Sequence, residues 1–508
     1  MKEMRKEMKG RWILPVVALI LGVCCAPTAS ELDKKPGDSG SNPGSGSETI
    51  TDKELKNWMV DYMREAYLWN EAMESVTPDY TLGYEELLEQ TLVDIAAQDD
   101  INHDDGHWTD GKRQYFYSNI VRYESGEEEA SRTRGVREMT EGSGIEYVYY
   151  TLVSAAKRTC AFIVGAVSPY SPAGKAGLKR GEIIAEVNGE PIQESEMENA
   201  FEKVIYPSGS VTVTVYDSRF ENPRQIVYGS ESYEDNPVWK CCSVTAANNV
   251  KVGYLCYNSF NMYYDDKLLE AFATLQGEGV EDLILDLRYN GGGHVVSSLL
   301  MGTFVAGQPH KGEIYSRMVP NAQRQAAGDR GSVFRIGNMN YGDGTYSEVL
   351  KALDFSLGLE RVYVLCSEST ASASELVING LRGIGLDVRI VGTTTNGKNV
   401  GMESISKVFD GYEYVFSPIT FYSENASGFR DYGDGFAPDV EAAESTLPIE
   451  EWGDPDDGLL SVALQWIETG SKPAPKSRSA AVSERRALLP AHRANPGGMI
   501  LPAAGSCE

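Results

Sequence analysis

The stretch from Val362 to Lys398 constrains the fold more than any other. An apolar run, Val362-Tyr363-Val364-Leu365-Cys366, shows no polar alternation and reads as a strand buried on both faces. Ser369-Thr370-Ala371-Ser372-Ala373-Ser374-Glu375 follows it, then an apolar helical segment, Leu376 to Leu381, and a returning strand, Val388 to Val391. Leu283-Ile284-Leu285-Asp286-Leu287 is a second such strand, and the alternation with helical segments runs from about Val250 to Thr446. Buried strands flanked by helices, an α/β architecture, are expected there.

Ser372 stands where that helix begins. Unpaired backbone N–H groups and the positive end of the helix dipole there favour an alkoxide or a tetrahedral oxyanion. Ser and Thr are also the usual helix caps, so the hydroxyls alone do not separate a nucleophile from a cap. Lys398 tips the reading. It ends Thr393-Thr394-Thr395-Asn396-Gly397-Lys398, just past the returning strand, which can bring its amine beside Ser372. A lysine stripped of water is neutral enough near pH 7 to take a hydroxyl proton. A Ser-His-Asp enzyme would have to use His294 as base, and the Ser/Lys arrangement explains more residues.

Asp286-Leu287-Arg288-Tyr289-Asn290-Gly291-Gly292-Gly293 follows the strand at 283–287. Glycines leave N–H groups unshielded, as an anion-binding turn or an oxyanion hole requires. A phosphate loop would need Gly-Lys-Ser/Thr and a dinucleotide site Gly-x-Gly-x-x-Gly; neither occurs. Acidic residues outnumber basic ones by 74 to 46, a net charge of -28 that would repel nucleic acid. Cysteine and histidine spacing fits no zinc site, and His103-Asp104-Asp105-Gly106-His107 reads as a solvated loop, so neither metal nor cofactor is expected.

With 508 residues, several domains are expected. Lys2, Arg5, Lys6, Lys9 and Arg11 precede the apolar run Trp12 to Val23, which marks residues 1–25 as a bacterial signal peptide. Leu21-Gly22-Val23-Cys24 resembles a lipobox, with Cys24, or Cys25 beside it, as the lipidated residue; the alternative is a plain secretory signal cleaved near Ala26 or Ala29. Residues 26–50, rich in Ser, Gly, Pro and Asp, read as a flexible linker. The expected location is the bacterial cell envelope, as a periplasmic or outer-membrane-anchored lipoprotein. Helical spacing of Leu55, Trp58, Met59, Tyr62 and Met63, and of Leu87, Leu88, Leu92 and Ile95, predicts an N-terminal helical module over 51–135. Residues 471–508 lack sustained periodicity and read as a disordered tail.

Over 136–230 the pattern changes to short strands such as Cys160 to Val164 and Val211 to Val215. Between them, Ser171-Pro172-Ala173-Gly174-Lys175-Ala176-Gly177-Leu178, Gly181-Glu182-Ile183-Ile184 and Val187-Asn188-Gly189 resemble the short helix, Gly-Asp-x-Ile turn and hairpin of a PDZ domain, with Glu182 in place of Asp. The resemblance puts the carboxylate-binding loop at Gly142-Ser143-Gly144-Ile145. Backbone N–H groups there would cradle a chain-terminal carboxylate while the next strand adds the peptide to the sheet edge.

In their order and spacing these motifs resemble the C-terminal processing peptidases, or tail-specific proteases, from about Lys53 to Ala442, and particularly their bacterial lipoprotein members. Gly435-Phe436-Ala437-Pro438-Asp439 is similar to the closing Gly-x-x-Pro-Asp segment of that family. The resemblance implies an α/β multidomain protein: an N-terminal helical module, a β-rich PDZ-like domain, and over 240–470 a Ser/Lys peptidase core with the ββα spiral of crotonases and Clp proteases. It implies Ser372 as the nucleophile of an acyl-enzyme mechanism, Lys398 as general base and then acid, and oxyanion donors at Gly292 and Ala373. Many members carry a glutamine four residues after the lysine; Met402 stands there, so either Glu403 orients the amine or a Ser/Lys dyad acts alone. The implied partners are protein or peptide substrates with free C-termini, and the membrane through the lipid anchor. The alternative is an inactive peptide-binding scaffold of the same fold, in which Ser372 only caps its helix.

Overall fold

Helices α1 (Ile50–Ala66) and α2 (Tyr84–Ala96) form because apolar side chains recur every three to four residues on each. Leu55, Met59 and Met63 of the first and Leu87, Leu88 and Leu92 of the second are buried in one cluster. That cluster is completed by Val400, Met402, Phe409 and Phe416, so the helical segment packs onto the distant core. Strand β1 (Asn119–Glu124) reinforces the join by pairing with residues 412–417. This computed structural model describes residues 50–98, 105–109, 112–124, 139–154, 156–338, 349–446, 448–474, 486–487 and 499–501. The expected signal segment with Cys24 and Cys25, nearly all of the linker, and His103 and Asp104 lie outside the described residues. No helix among the described residues is long and apolar enough to cross a membrane.

An antiparallel sheet follows, built from β2 (Ile145–Ser154), β3 (Thr159–Val167) and β4 (Ile183–Val187), then, after α3 (Met197–Ile205), β5 (Val211–Tyr216) and β6 (Arg224–Tyr228). Its order is β6-β5-β4-β3-β2. Asn188 and Gly189 turn the chain after β4 with φ of 54° and 83°, the left-handed pair that a two-residue hairpin needs to match strand twist. Ser171 caps the short helix Pro172–Lys175 by accepting the Gly174 N–H.

The α/β region places β7 (Val238–Thr245), β8 (Lys251–Tyr257), α4 (Asp265–Glu278), β9 (Asp282–Asp286) and α5 (Val295–Ala306) in succession. After β10 (Ile314–Pro320) and β11 (Val333–Arg335) come β12 (Arg361–Cys366), α6 (Ala373–Gly383) and β13 (Asp387–Gly392). Strands β14 (Val400–Glu403), β15 (Ile405–Phe409), β16 (Tyr412–Ser417), β17 (Ile419–Glu424) and β18 (Val440–Glu441) precede α7 (Gly458–Thr469). The central sheet has the order β7-β8-β9-β12-β13-β18 and is parallel from β8 onward. Both its faces are covered. Leu283, Leu285, Val362 and Val364 face the cluster of α4, α5 and α6, whereas Ile284, Tyr363 and Leu365 face α7, as the two-residue period of a strand dictates. A second sheet, β11-β10-β17-β14, stands beside it, and β15 and β16 join β1 in a third.

Of the tail expected over 471–508, residues 475–485, 488–498 and 502–508 lie outside the described residues. Two strands, β19 (Arg486–Ala487) and β20 (Met499–Leu501), add to the edges of β2 and β14. Segments of two and three residues are too short to show a period, and their structure comes from the edge they join.

A sealed charge cluster joins the PDZ-like sheet to the core. Arg180 is buried, donates to Gly165 O, pairs with Glu444 and with Asp457 at 3.0 Å, and lies 4.2 Å from the Trp452 ring. Arg288 pairs with Asp286 at 2.6 Å and Asp457 at 3.2 Å.

Candidate active site

The residue before α6 is Ser372, with φ 58° and ψ −112°, a left-handed backbone that side chains rarely adopt. Such a conformation persists only where the surroundings over-determine it. Here they do. The Ser372 N–H donates to Glu375 Oε2 at 2.8 Å, Ala371 N–H to Asn290 O at 3.1 Å, and Ser374 Oγ to Asn290 O at 2.9 Å. Ser372 is 0% exposed and its Oγ has no hydrogen-bond partner among the described residues.

Lys398 follows Gly397, whose φ of +93° and close approach to Gly433 O leave no room for a side chain. The Lys398 N–H donates to the same Glu375 Oε2, at 2.9 Å, and Gly397 N–H and Thr395 Oγ1 donate to Oε1 at 2.7 and 2.6 Å. One carboxylate thus fixes the backbones of both Ser372 and Lys398. The Lys398 amine is buried without a hydrogen-bond partner among the described residues and lies 4.2 Å from the Tyr117 ring centroid. Burial lowers its pKa to about 7, against the pull of Asp105 and Glu375. Burial likewise pushes Glu375 up to about 7, opposed by four hydrogen bonds. Three of the four partners are backbone N–H groups, which can only donate, so the ionised form fits this setting.

The Gly-rich turn closes the site. A side chain at Gly292, φ +106°, would come within 2.7 Å of Ser372 Cβ and 2.9 Å of the Ala373 amide nitrogen. Ala373 opens α6, where an N–H lacks an acceptor within the helix. A buried serine hydroxyl, a near-neutral buried amine and a helix-start amide beside a glycine turn are the parts needed for acyl transfer.

Residues 251–442 match the model of Peptidase family S41, residues 54–109 that of the Peptidase S41 N-terminal domain, and residues 163–216 that of a PDZ domain. The S41 match covers the α/β region that holds both Ser372 and Lys398. It is similar to the chloroplastic carboxyl-terminal-processing peptidase 3 of Arabidopsis thaliana, 24% identical over 303 residues, 58% of this chain and 53% of that protein. The carboxy-terminal processing protease CtpB of Bacillus subtilis is 25% identical over 246 residues, 47% of this chain and 45% of its own. The chain spans about half the length of the curated relatives it matches. A crystal structure from Bacteroides fragilis, assigned to the S41 proteases, shares the fold with a TM-score of 0.63 at 24% identity, covering 85% of this chain and 100% of that one.

In the S41 core two of the expected roles do not match the geometry. Glu403 does not reach the lysine: its carboxylate pairs with Arg324 at 2.5 Å on the partly exposed side of β14. Alternation along the strand turns Met402 into the α1–α2 cluster and Glu403 the other way. Gly292 adjoins Ser372, yet its N–H is taken by the Asn290 side chain at 2.9 Å, an i to i+2 bond typical of Asn in turns. His294 caps α5, its Nδ1 3.1 Å from Phe260 O.

The PDZ loop Gly142-Ser143-Gly144-Ile145 runs into β2. Its Ser143 and Gly144 carbonyls accept the N–H groups of Ala173 and Ser168, Ser143 Oγ donates to Ile205 O at the end of α3, and the Ile145 N–H approaches Ser143 Oγ at 3.4 Å. Two groups near Lys398 escaped the sequence reading. Asp105, expected in a solvated loop, is buried and accepts from Tyr67 Oη, Ser118 Oγ and two backbone N–H groups. Tyr117, held by this loop, donates to Asn396 Oδ1 at 2.9 Å. No motif signals either one, although an Asp beside a Gly two residues before a Trp would justify a turn.

Proposed function

We propose that this chain is a serine endopeptidase that binds the free C-terminal tails of exported proteins through its PDZ domain and cleaves them in its S41 core. Ser372 Oγ attacks the scissile carbonyl as Lys398 Nζ takes its proton, the Ala373 N–H faces the resulting oxyanion, and Lys398 returns the proton to the leaving amine. Water, activated by the same amine, then hydrolyses the Ser372 ester. Glu375 is the positioning residue for both groups. The observation that carries this reading is the paired isolation of Ser372 Oγ and Lys398 Nζ, each buried and without a hydrogen-bond partner among the described residues, their backbones tied to one carboxylate. The proposed setting is the bacterial cell envelope, with Cys24 as the lipid anchor.

The test compares full-length protein with Ser372→Ala on an unfolded substrate ending in an apolar tail, with an amidated tail as control. Cleavage that the alanine abolishes and amidation reduces is expected. Equal turnover by both proteins would remove Ser372 from the reaction.

A further inference from the structure

Two sheet edges in this molecule are suited to an extended peptide, and the chain's own C-terminal segment lies on both. The outer edge of β2, away from β3, is taken by β19, antiparallel, with Arg486 opposite Tyr150 and Ala487 opposite Tyr149. The two residues of β19 therefore lie in the direction that a tail would take to bring its end to the Gly142–Ile145 turn. The second edge is that of β14, which begins one residue beyond Asn399 and two beyond Lys398. There β20 adds in parallel, with Gly401 opposite Met499, Met402 opposite Ile500 and Glu403 opposite Leu501. Strand β20 also lies against α5, the helix that leaves the Gly291–Gly293 turn. One segment thus adjoins the element that follows the lysine and the element that follows the glycine turn.

Strand addition is held by main-chain hydrogen bonds, so an edge that accepts one extended segment accepts others. We propose that the edge of β14 is a second peptide-binding edge and that the segment bearing β19 and β20 is a tethered competitor, filling both edges until a protein tail displaces it. The competitor role rests on the peptidase reading; the occupancy of the two edges does not. A tethered strand acts at an effective concentration of roughly millimolar, so one whose own affinity for the edge is about 100 μM or tighter weakens an untethered peptide by about tenfold or more.

The test uses full-length protein. Arg486→Pro with Ala487→Pro removes two consecutive N–H groups, one of which must face β2, and Met499→Pro with Ile500→Pro does the same at β14. A fluorescent peptide with an apolar C-terminus and free carboxylate is titrated into each pair in a Ser372→Ala background, where binding is read without turnover. The 486/487 pair should tighten binding by about tenfold or more. In the Ser372 background, the 499/500 pair should raise the cleavage rate of an unfolded substrate, and a synthetic peptide spanning 484–501 added in trans should lower it again. Unchanged peptide affinity in the 486/487 pair overturns the proposal, whether or not the parent protein cleaves. Tightened binding with no cleavage by any form upholds occupancy of the PDZ edge and refutes the peptidase reading instead.

Discussion

The amine of Lys398 has no hydrogen-bond partner among the described residues, and this determines how it titrates. Burial brings its pKa to about 7, whereas a lysine in the unfolded chain titrates near about 10.4. As the proposed base it must be unprotonated, so kcat/KM should rise about tenfold per unit below roughly pH 7 and level off above it. The sign for stability follows from proton counts. Between about pH 7 and 10 the unfolded chain holds a proton that the folded chain has lost, so this residue makes stability rise with pH across that window. Lys398→Met should cost about 10² to 10⁴ in turnover. It should also raise the urea midpoint at pH 8, with the advantage over wild type shrinking toward pH 10. An advantage equal at both pH values would mean the lysine is charged in the fold.

Strand β14 shows how one element separates residues adjacent in sequence. Met402 enters the helical cluster and Glu403 pairs with Arg324. Glu403→Gln should leave kcat within about twofold, since a partly exposed ion pair is worth about 1 kcal/mol or less. Glu375→Gln should lower kcat by a factor of about 10² or more, because an amide cannot accept four hydrogen bonds and the backbones of Ser372 and Lys398 lose their common anchor. Stopped-flow kinetics on both variants decides between the two carboxylates. The strand-helix-strand frame around Ser372 and the Asn188-Gly189 hairpin were legible because each depends on local pattern and turn chemistry. Glu375 stood in plain sight beside the serine, but its tie to Lys398 requires the return of β13 and the turn at Gly397. The Asp105–Tyr117 contact with the site, and the tail strands, depend on partners far along the chain, which no local period encodes.

Across the whole molecule, the three segments share contacts that make separation costly. The helical segment buries its apolar face on Val400, Met402 and Phe416 of the core, and the PDZ-like sheet is joined through Arg180. Arg180→Ala would leave Glu444 and Asp457 short of a buried partner, a loss of about 3–5 kcal/mol. Urea unfolding followed by tryptophan fluorescence should show it, since Trp452 stacks on this guanidinium. A midpoint unchanged from wild type would show that the cluster tolerates the vacancy. Among the described residues, Asp286, Glu444 and Asp457 pair with one cation of the core, Arg288, and the second positive charge comes from the PDZ side. The domain is therefore no interchangeable cassette: a PDZ domain recombined from another protein would have to bring an arginine at this one position, or the receiving core would be left with unneutralised acids in its interior.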